Sequence, residues 1–271
     1  AQRGARVMKQ NVVMKQNSIC DDTTAAKLAE LQKLNQFHTY EEVKDCGQQT
    51  LSTRWVITTK EGQTKARLVV RGFEEEFTMP RDSPTIGKGT MRIFLAISSM
   101  KNWTPKTTDI KSAFLQGREL RRDVYIKPPK ESETEIGVVW KLKHGLYGLK
   151  DGARQFYMSV KDELMRLGCK MSDLDPALFY LHKGGNLSGI ICCHVDDFLH
   201  AGDGHLEQIM MDLRRRFVAG KIEEGNFNYI GFKVAQENGA IALDQSHYVT
   251  NIQNMTISNR KSTEQAKYIN F

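Results

Sequence analysis

Two adjacent carboxylates interrupt an apolar run in the segment GIICCHVDDFLHAGD, Gly189 to Asp203. Ile190 to Cys193 precede Asp196 and Asp197, and Phe198 and Leu199 follow them. Such a stretch reads as two buried strands reversing direction at the aspartates. A buried carboxylate is costly unless a positive group compensates it. No Lys or Arg occurs in the segment. Either the pair caps an exposed turn, the ordinary place for Asp, or its counter-charge comes from outside the chain. On alternating strand geometry the two side chains diverge, so one makes the main inward contact.

Asp109 has a similar setting. It ends a strand in WTPKTTDIKSAFLQG and precedes the apolar triplet Ala113, Phe114, Leu115. Pairing of the two strands would gather two or three carboxylates. Without a cation they would repel one another and their pKa values would rise. Mg²⁺ takes one or two protein carboxylates and completes its shell with water and substrate phosphates. Two such ions about 4 Å apart can clamp both oxygens of an in-line phosphoryl displacement.

The rest of the chain mixes helices and strands. TTAAKLAELQKLNQF has Thr24 as an N-cap candidate, followed by leucines at helical spacing. STRWVITTK and TKARLVVRGF alternate as strands around a turn at Glu61-Gly62. TMRIFLAISSM reads as a buried helix with Ile93, Phe94 and Ile97 on one side, and ARQFYMSVKDELMRLG and LEQIMMDLRRRF as further helices. FNYIGFKVAQENGAIALDQ reads as a hairpin turning at Asn238-Gly239. With hairpins prominent, the fold class is α+β rather than a parallel βαβ wheel.

Composition narrows function only slightly. The net charge of +7 and pI near 9.1 suit a polyanionic partner or simply a basic surface. The five cysteines are odd in number and lack a CxxC pair, so neither a disulfide framework nor a zinc ribbon is indicated. No apolar stretch reaches the ~18 residues of a membrane span. The chain begins with Ala rather than Met, as a piece of a longer polyprotein would.

An ordered set of segments carries more. TRWVITTKEGQTKARLVVRGFEEEF, TTDIKSAFLQGRELRRDVYIKPP, VVWKLKHGLYGLK, DPALFYLHKGG, IICCHVDDFLHAG and YIGFKVAQENGAIALDQSHYV follow one another from about Leu28 to Ile252. In this order they resemble the reverse transcriptases of copia-type LTR retrotransposons. The resemblance implies a right-hand polymerase with fingers and a palm, the palm an antiparallel sheet backed by helices. It implies a polar, flexible leader over 1–27 and fingers mainly over 28–106. The palm would span 107–245 with a fingers insertion around 123–150, and 246–271 would start a truncated thumb or connection.

The resemblance also implies the site. Asp109, Asp196 and Asp197 would be the catalytic carboxylates, and with the Ile110 carbonyl they would hold two Mg²⁺ ions, for which Mn²⁺ can substitute. Lys65 and Arg67 would bind the dNTP triphosphate, ahead of Arg71 on the same strand face. Phe114 would be the steric gate against ribonucleotides. Tyr147 and Gly148 would meet the nascent base pair, and Tyr229, Ile230 and Gly231 would begin the primer grip. Partners would be an RNA or DNA template with its primer, dNTP, and integrase and RNase H domains elsewhere in the polyprotein. No membrane is implied, and the location would be an intracellular, cytoplasmic virus-like particle. Where the family often continues Gln-Ala-Pro-Arg after the LYGLK loop, this chain has Asp151, Gly152, Ala153, Arg154. That departure, Gly87 and Gly89 near a helix start, and the unusual tail keep open a decayed or co-opted copy that binds nucleic acid without polymerising. A metal-dependent nuclease would use similar carboxylates but lacks an identifiable general base.

Overall fold

The computed structural model describes residues 22–60 and 62–252. The VMKQN near-repeat, Cys20, Glu61 and the tail after 252 lie outside the described residues. The elements in order are α1 (residues 22–36), β1 (Tyr40–Lys44), β2 (Thr50–Leu51), β3 (Thr53–Lys60), β4 (Gln63–Val70), α2 (Lys88–Met100), β5 (Lys106–Ile110), β6 (Tyr125–Ile126) and β7 (Val138–Leu142). They continue as α3 (Gly152–Arg166), β8 (Lys170–Met171), β9 (Leu178–Lys183), β10 (Asn186–His194), β11 (Asp197–Gly202), α4 (Gly204–Arg216), β12 (Ala219–Glu224), β13 (Asn226–Tyr229), β14 (Phe232–Glu237), β15 (Ala240–Asp244) and α5 (Ser246–Thr250).

The class is α+β. A six-stranded antiparallel sheet has the order β12-β5-β11-β10-β9-β8. Helices α2, α3 and α4 pack on it through Met91, Phe94, Phe156, Val160, Leu206 and Leu213. These positions recur at three- to four-residue spacing, which puts one apolar stripe of each helix on the sheet. A second, smaller core joins Leu31 and Leu34 of α1 to Leu68, Ile126, Trp140 and Leu146. It lies against the sheet β1-β7-β6-β2 and the β3–β4 hairpin, with Tyr40 stacked on Trp140.

Several sequence expectations change. Helix α2 buries Met91, Phe94, Leu95 and Ser98, while Ile93 is exposed. The packing stripe follows every third and fourth residue, and Ile93 falls beside it. Residues 22–27, expected at the end of a flexible leader, are helical, and Thr24 lies within the helix rather than capping it. Lys27 explains part of this: its ammonium pairs with Glu131 at 2.7 Å and lies over the Trp55 ring. The expected single hairpin near the end is a three-stranded sheet, β13-β14-β15. It turns at Asn238-Gly239 as expected and also at Ile230-Gly231, all four residues having positive φ.

Asp151, the residue that departs from the family pattern, does not face solvent. Its carboxylate is fully buried, and both oxygens accept from Arg122, at 2.8 and 2.9 Å. Gln155 donates to it as well, and Arg122 also donates to Glu75 at 2.7 Å. This planar, two-pronged pairing ties the segment after β4 to the start of α3. Breaking a buried pair leaves a charge stranded and costs about 3–5 kcal/mol. Asp151→Ala is therefore expected to lower unfolding free energy by about that much in a denaturant titration; a loss under about 1 kcal/mol would contradict the strut.

Candidate active site

The candidate site lies at the end of the six-stranded sheet where β5, β11 and β12 meet. Strand β11 pairs with β5 so that Asp197 sits directly opposite Asp109. Cross-strand partners have Cβ atoms about 4.5–5.5 Å apart, and like charges there are destabilising. One residue on, the Ile110 N–H donates to the Asp196 carbonyl at 2.8 Å. The turn between β10 and β11 holds Val195 at φ 57°. A β-branched residue there is strained, at a cost of order 1–3 kcal/mol. The strained turn leaves Asp196 exposed at its tip while Asp197 is half-buried.

Burial pushes the Asp197 carboxyl up to about 7, helped by the charges of Asp196, Asp109 and Glu223. Among the described residues, no Lys or Arg forms an ion pair with Asp109, Asp196 or Asp197. Nor do any three His, Cys, Asp or Glu side chains among them converge as a ready-made metal cage. This donor set fits Mg²⁺, which takes one or two protein carboxylates and draws its remaining oxygens from water and substrate. It does not fit a closed structural zinc site.

Gly220 was not legible as part of the site. A Cβ at this position would lie 2.2 Å from the Asp109 carboxylate. The pairing of β12 with β5 shifts register between Ala219 and Ile222, which brings the backbone of Gly220 onto Asp109. The signal available was a glycine inside a strand, which often marks such close approach. His200, three residues beyond Asp197, was also missed. It is buried with its Nε2 3.1 Å from the Thr108 hydroxyl, and burial, then Lys106 and Arg214, press its pKa down to about 3. It stays neutral within the sheet, opposite Lys106.

A cavity of about 720 Å³ opens at this edge, lined by Asp109, Ile110, Asp196, Lys65, Arg67 and Tyr147. The β3–β4 hairpin reaches over it. Leu68 and Val70 point into the smaller core and Ala66 is buried at the cavity wall, while the alternation leaves Lys65 and Arg67 exposed. Arg71 lies past the strand end and outside the cavity wall. Phe114 does not line the cavity; its ring packs edge to face on Tyr147, which does, with centroids 5.4 Å apart. Gly148 does not line the cavity. Its φ is +90°, and a Cβ would lie 2.0 Å from the Val70 carbonyl oxygen. That glycine docks the 145–150 loop on β4, where the Val70 N–H donates to the Tyr147 carbonyl.

The expected primer-grip residues divide. Tyr229 is buried, its hydroxyl donating toward the Asp197 carbonyl at 3.4 Å. Ile230 and Gly231 form the turn beside it.

The raised Asp197 pKa has a consequence for stability. A folded-state value above the unfolded one favours the folded protein at low pH, and that contribution is lost as pH rises from about 4 to about 7. In metal-free protein, Asp197→Asn is expected to raise the melting temperature at pH 8 and to change it little at pH 4. A difference between variant and parent that does not grow with pH would contradict the assignment.

Comparison with known proteins identifies the family. Residues 37–266 match the family described as reverse transcriptase (RNA-dependent DNA polymerase). The retrovirus-related Pol polyprotein from transposon RE1 of Arabidopsis thaliana is 29% identical over 212 residues, 73% of this chain and 14% of the relative. The corresponding polyprotein from transposon TNT 1-94 of Nicotiana tabacum is 27% identical over 239 residues, 82% of this chain and 18% of the relative. The chain thus spans less than a fifth of the length of these relatives. Among solved structures, a foamy viral protease-reverse transcriptase in complex with double-stranded DNA aligns with TM-score 0.48 and 15% identity, covering 84% of this chain and 37% of that one. A telomerase from Candida tropicalis aligns with TM-score 0.46 and 10% identity, covering 81% and 60%. At these scores the family assignment rests on the sequence match. The chain belongs to the reverse transcriptase (RNA-dependent DNA polymerase) family and resembles its copia-type members.

Proposed function

We propose that this chain is the RNA-directed DNA polymerase unit of a copia-type Pol polyprotein. The observation that carries this reading is that Asp109 and Asp196 share one cavity with Lys65 and Arg67. The six-stranded sheet would be the palm, and the smaller core with the β3–β4 hairpin the fingers. Template, primer and dNTP are the partners this reading requires, with integrase and RNase H domains elsewhere in a polyprotein and a virus-like particle as the setting. No helix among the described residues is long and apolar enough to cross a membrane.

Asp109 and Asp196 would hold two Mg²⁺ ions, with the Ile110 carbonyl completing one shell and Asp197 more peripheral. When bound, the ions supply Lewis-acid stabilisation of charge on the attacking and departing oxygens. The chain's own residues do the positioning. Lys65 and Arg67 neutralise the triphosphate and orient its α-phosphorus toward the primer 3′-oxygen. The 3′-hydroxyl gives its proton to water, its oxygen bonds to the α-phosphorus, the phosphorus–oxygen bond to pyrophosphate breaks, and pyrophosphate leaves. Phe114, packed edge to face on the cavity-lining Tyr147, would bar a sugar 2′-hydroxyl. Ile230 and Gly231 would contact the primer strand, with Tyr229 supporting their turn from within. Gly220 leaves the Asp109 carboxylate room to turn toward the cavity.

The buried Arg122–Asp151 pair bears on the alternative of a decayed copy. The changed residue is used by the fold, so it does not count as damage. Purified protein is expected to extend a DNA primer on poly(rA) with Mg²⁺ or Mn²⁺. Asp196→Asn and Gly220→Ala should each lower extension at least ~100-fold while primer–template binding persists, since each removes transition-state stabilisation rather than substrate binding. Salt-sensitive binding with no extension by the parent protein would favour the decayed copy. Separately, Phe114→Ala should raise ribonucleotide incorporation; unchanged sugar discrimination would remove Phe114 from the gate.

A further inference from the structure

Helix α1 lies before the family-matched residues 37–266, yet it forms one wall of the cavity that holds Asp109 and Asp196. Leu31 and Leu34 anchor one side of α1 in the smaller core. Lys27 pins its first half through Glu131. The other side turns Glu30 and Lys33 into the cavity, across from Lys65 and Arg67.

The Glu30 side chain is 3% exposed, whereas that of Lys33 is 48% exposed. One Glu30 oxygen accepts from the Lys33 ammonium at 2.9 Å. The other oxygen is buried and has no hydrogen-bond partner among the described residues. A carboxylate so placed weakens a fold unless it has work to do, because an apolar residue would fill the same space without the desolvation cost. Its charge is felt in the pocket: burial raises the Tyr147 phenol pKa, and Glu30 raises it further against the opposing Arg67.

We propose that Lys33 is a further phosphate-binding residue for the incoming nucleotide and that Glu30 is the positioning residue that aims it. This rests on the polymerase reading above. An ammonium has three donors. Glu30 engages one, which leaves two for phosphate oxygens. A free lysine loses side-chain freedom when immobilised, and a lysine already held by a buried partner has lost part of it. The cavity is within the size range of small-ligand sites, roughly 300–1,000 Å³. Any nucleotide whose α-phosphate reaches Asp109 and Asp196 must place its remaining phosphates inside these same walls.

The test compares steady-state primer extension and inorganic pyrophosphate inhibition in four proteins: the parent, Lys33→Arg, Glu30→Gln, and Glu30→Gln/Lys33→Gln. The double variant removes Lys33 without stranding a buried charge. Against Glu30→Gln it is expected to raise the KM for dTTP and the Ki for pyrophosphate about tenfold or more. Primer–template affinity, kcat and melting temperature should stay close to those of Glu30→Gln, and Lys33→Arg should keep a KM near the parent's. Unchanged KM and Ki in a double variant that still polymerises would overturn the inference and leave the polymerase reading intact. A parent that cannot extend a primer, yet binds pyrophosphate more tightly than the double variant, would overturn the polymerase reading and keep the phosphate site. For Glu30, the single variant Lys33→Gln completes a double-mutant cycle on pyrophosphate Ki. Coupling between the two positions is expected; additive effects would remove the positioning role.

Discussion

Mutual repulsion of three carboxylates at one sheet edge is the constraint around which this structure is arranged. Asp197 lies opposite Asp109 across a strand pair, and Asp196 occupies the adjoining turn. None of them has a Lys or Arg of the described residues as an ion-pair partner, although the chain carries a net charge of +7. Lys65 and Arg67 of β4 and Lys33 of α1 line the same cavity, as does Lys111 just after β5. In the proposed function the carboxylates take divalent cations and Lys65, Arg67 and Lys33 take phosphates. That separation of charge is what a nucleotide carrying its own metal ions would satisfy.

Holding the two walls at a fixed spacing needs rigid ties. Arg122, Asp151 and Glu75 supply one, in a place that water does not reach on the Asp151 side. Backbone contact supplies another, because Gly148 brings its loop against Val70 more closely than any side chain would allow. Gly220 does the equivalent for Asp109. The site is thus shaped as much by where side chains are missing as by which ones are present.

Much of this was legible in the sequence. The apolar runs around Asp196 and Asp197 announced two buried strands, and the alternation of β4 announced which side carries Lys65 and Arg67. The sequence put Asp109 and the Asp196–Asp197 pair near strand ends and expected Asp109 beside Asp196; the register sets Asp197 opposite it instead. What could not be read depends on partners distant in the chain. Asp151 stood out only as a departure from the family pattern, because Arg122, 29 positions earlier, carries no mark of the pairing. Gly220 mattered only once a register shift set it on Asp109. Ile93 looked buried because its neighbours are apolar, yet the stripe that packs is set by the sheet beneath α2. Tyr229 sits inside the core although its turn is at the surface.

Counting bound metal ions tests the central claim most directly. Electron paramagnetic resonance of Mn²⁺ would be followed in the protein bound to template and a 3′-dideoxy-terminated primer, with and without dTTP. The account predicts weak Mn²⁺ binding before dTTP and about two tightly bound ions after it. Both should be lost in Asp109→Asn or Asp196→Asn at unchanged nucleic-acid affinity. Mn²⁺ binding that is indifferent to dTTP and to both aspartates would contradict it.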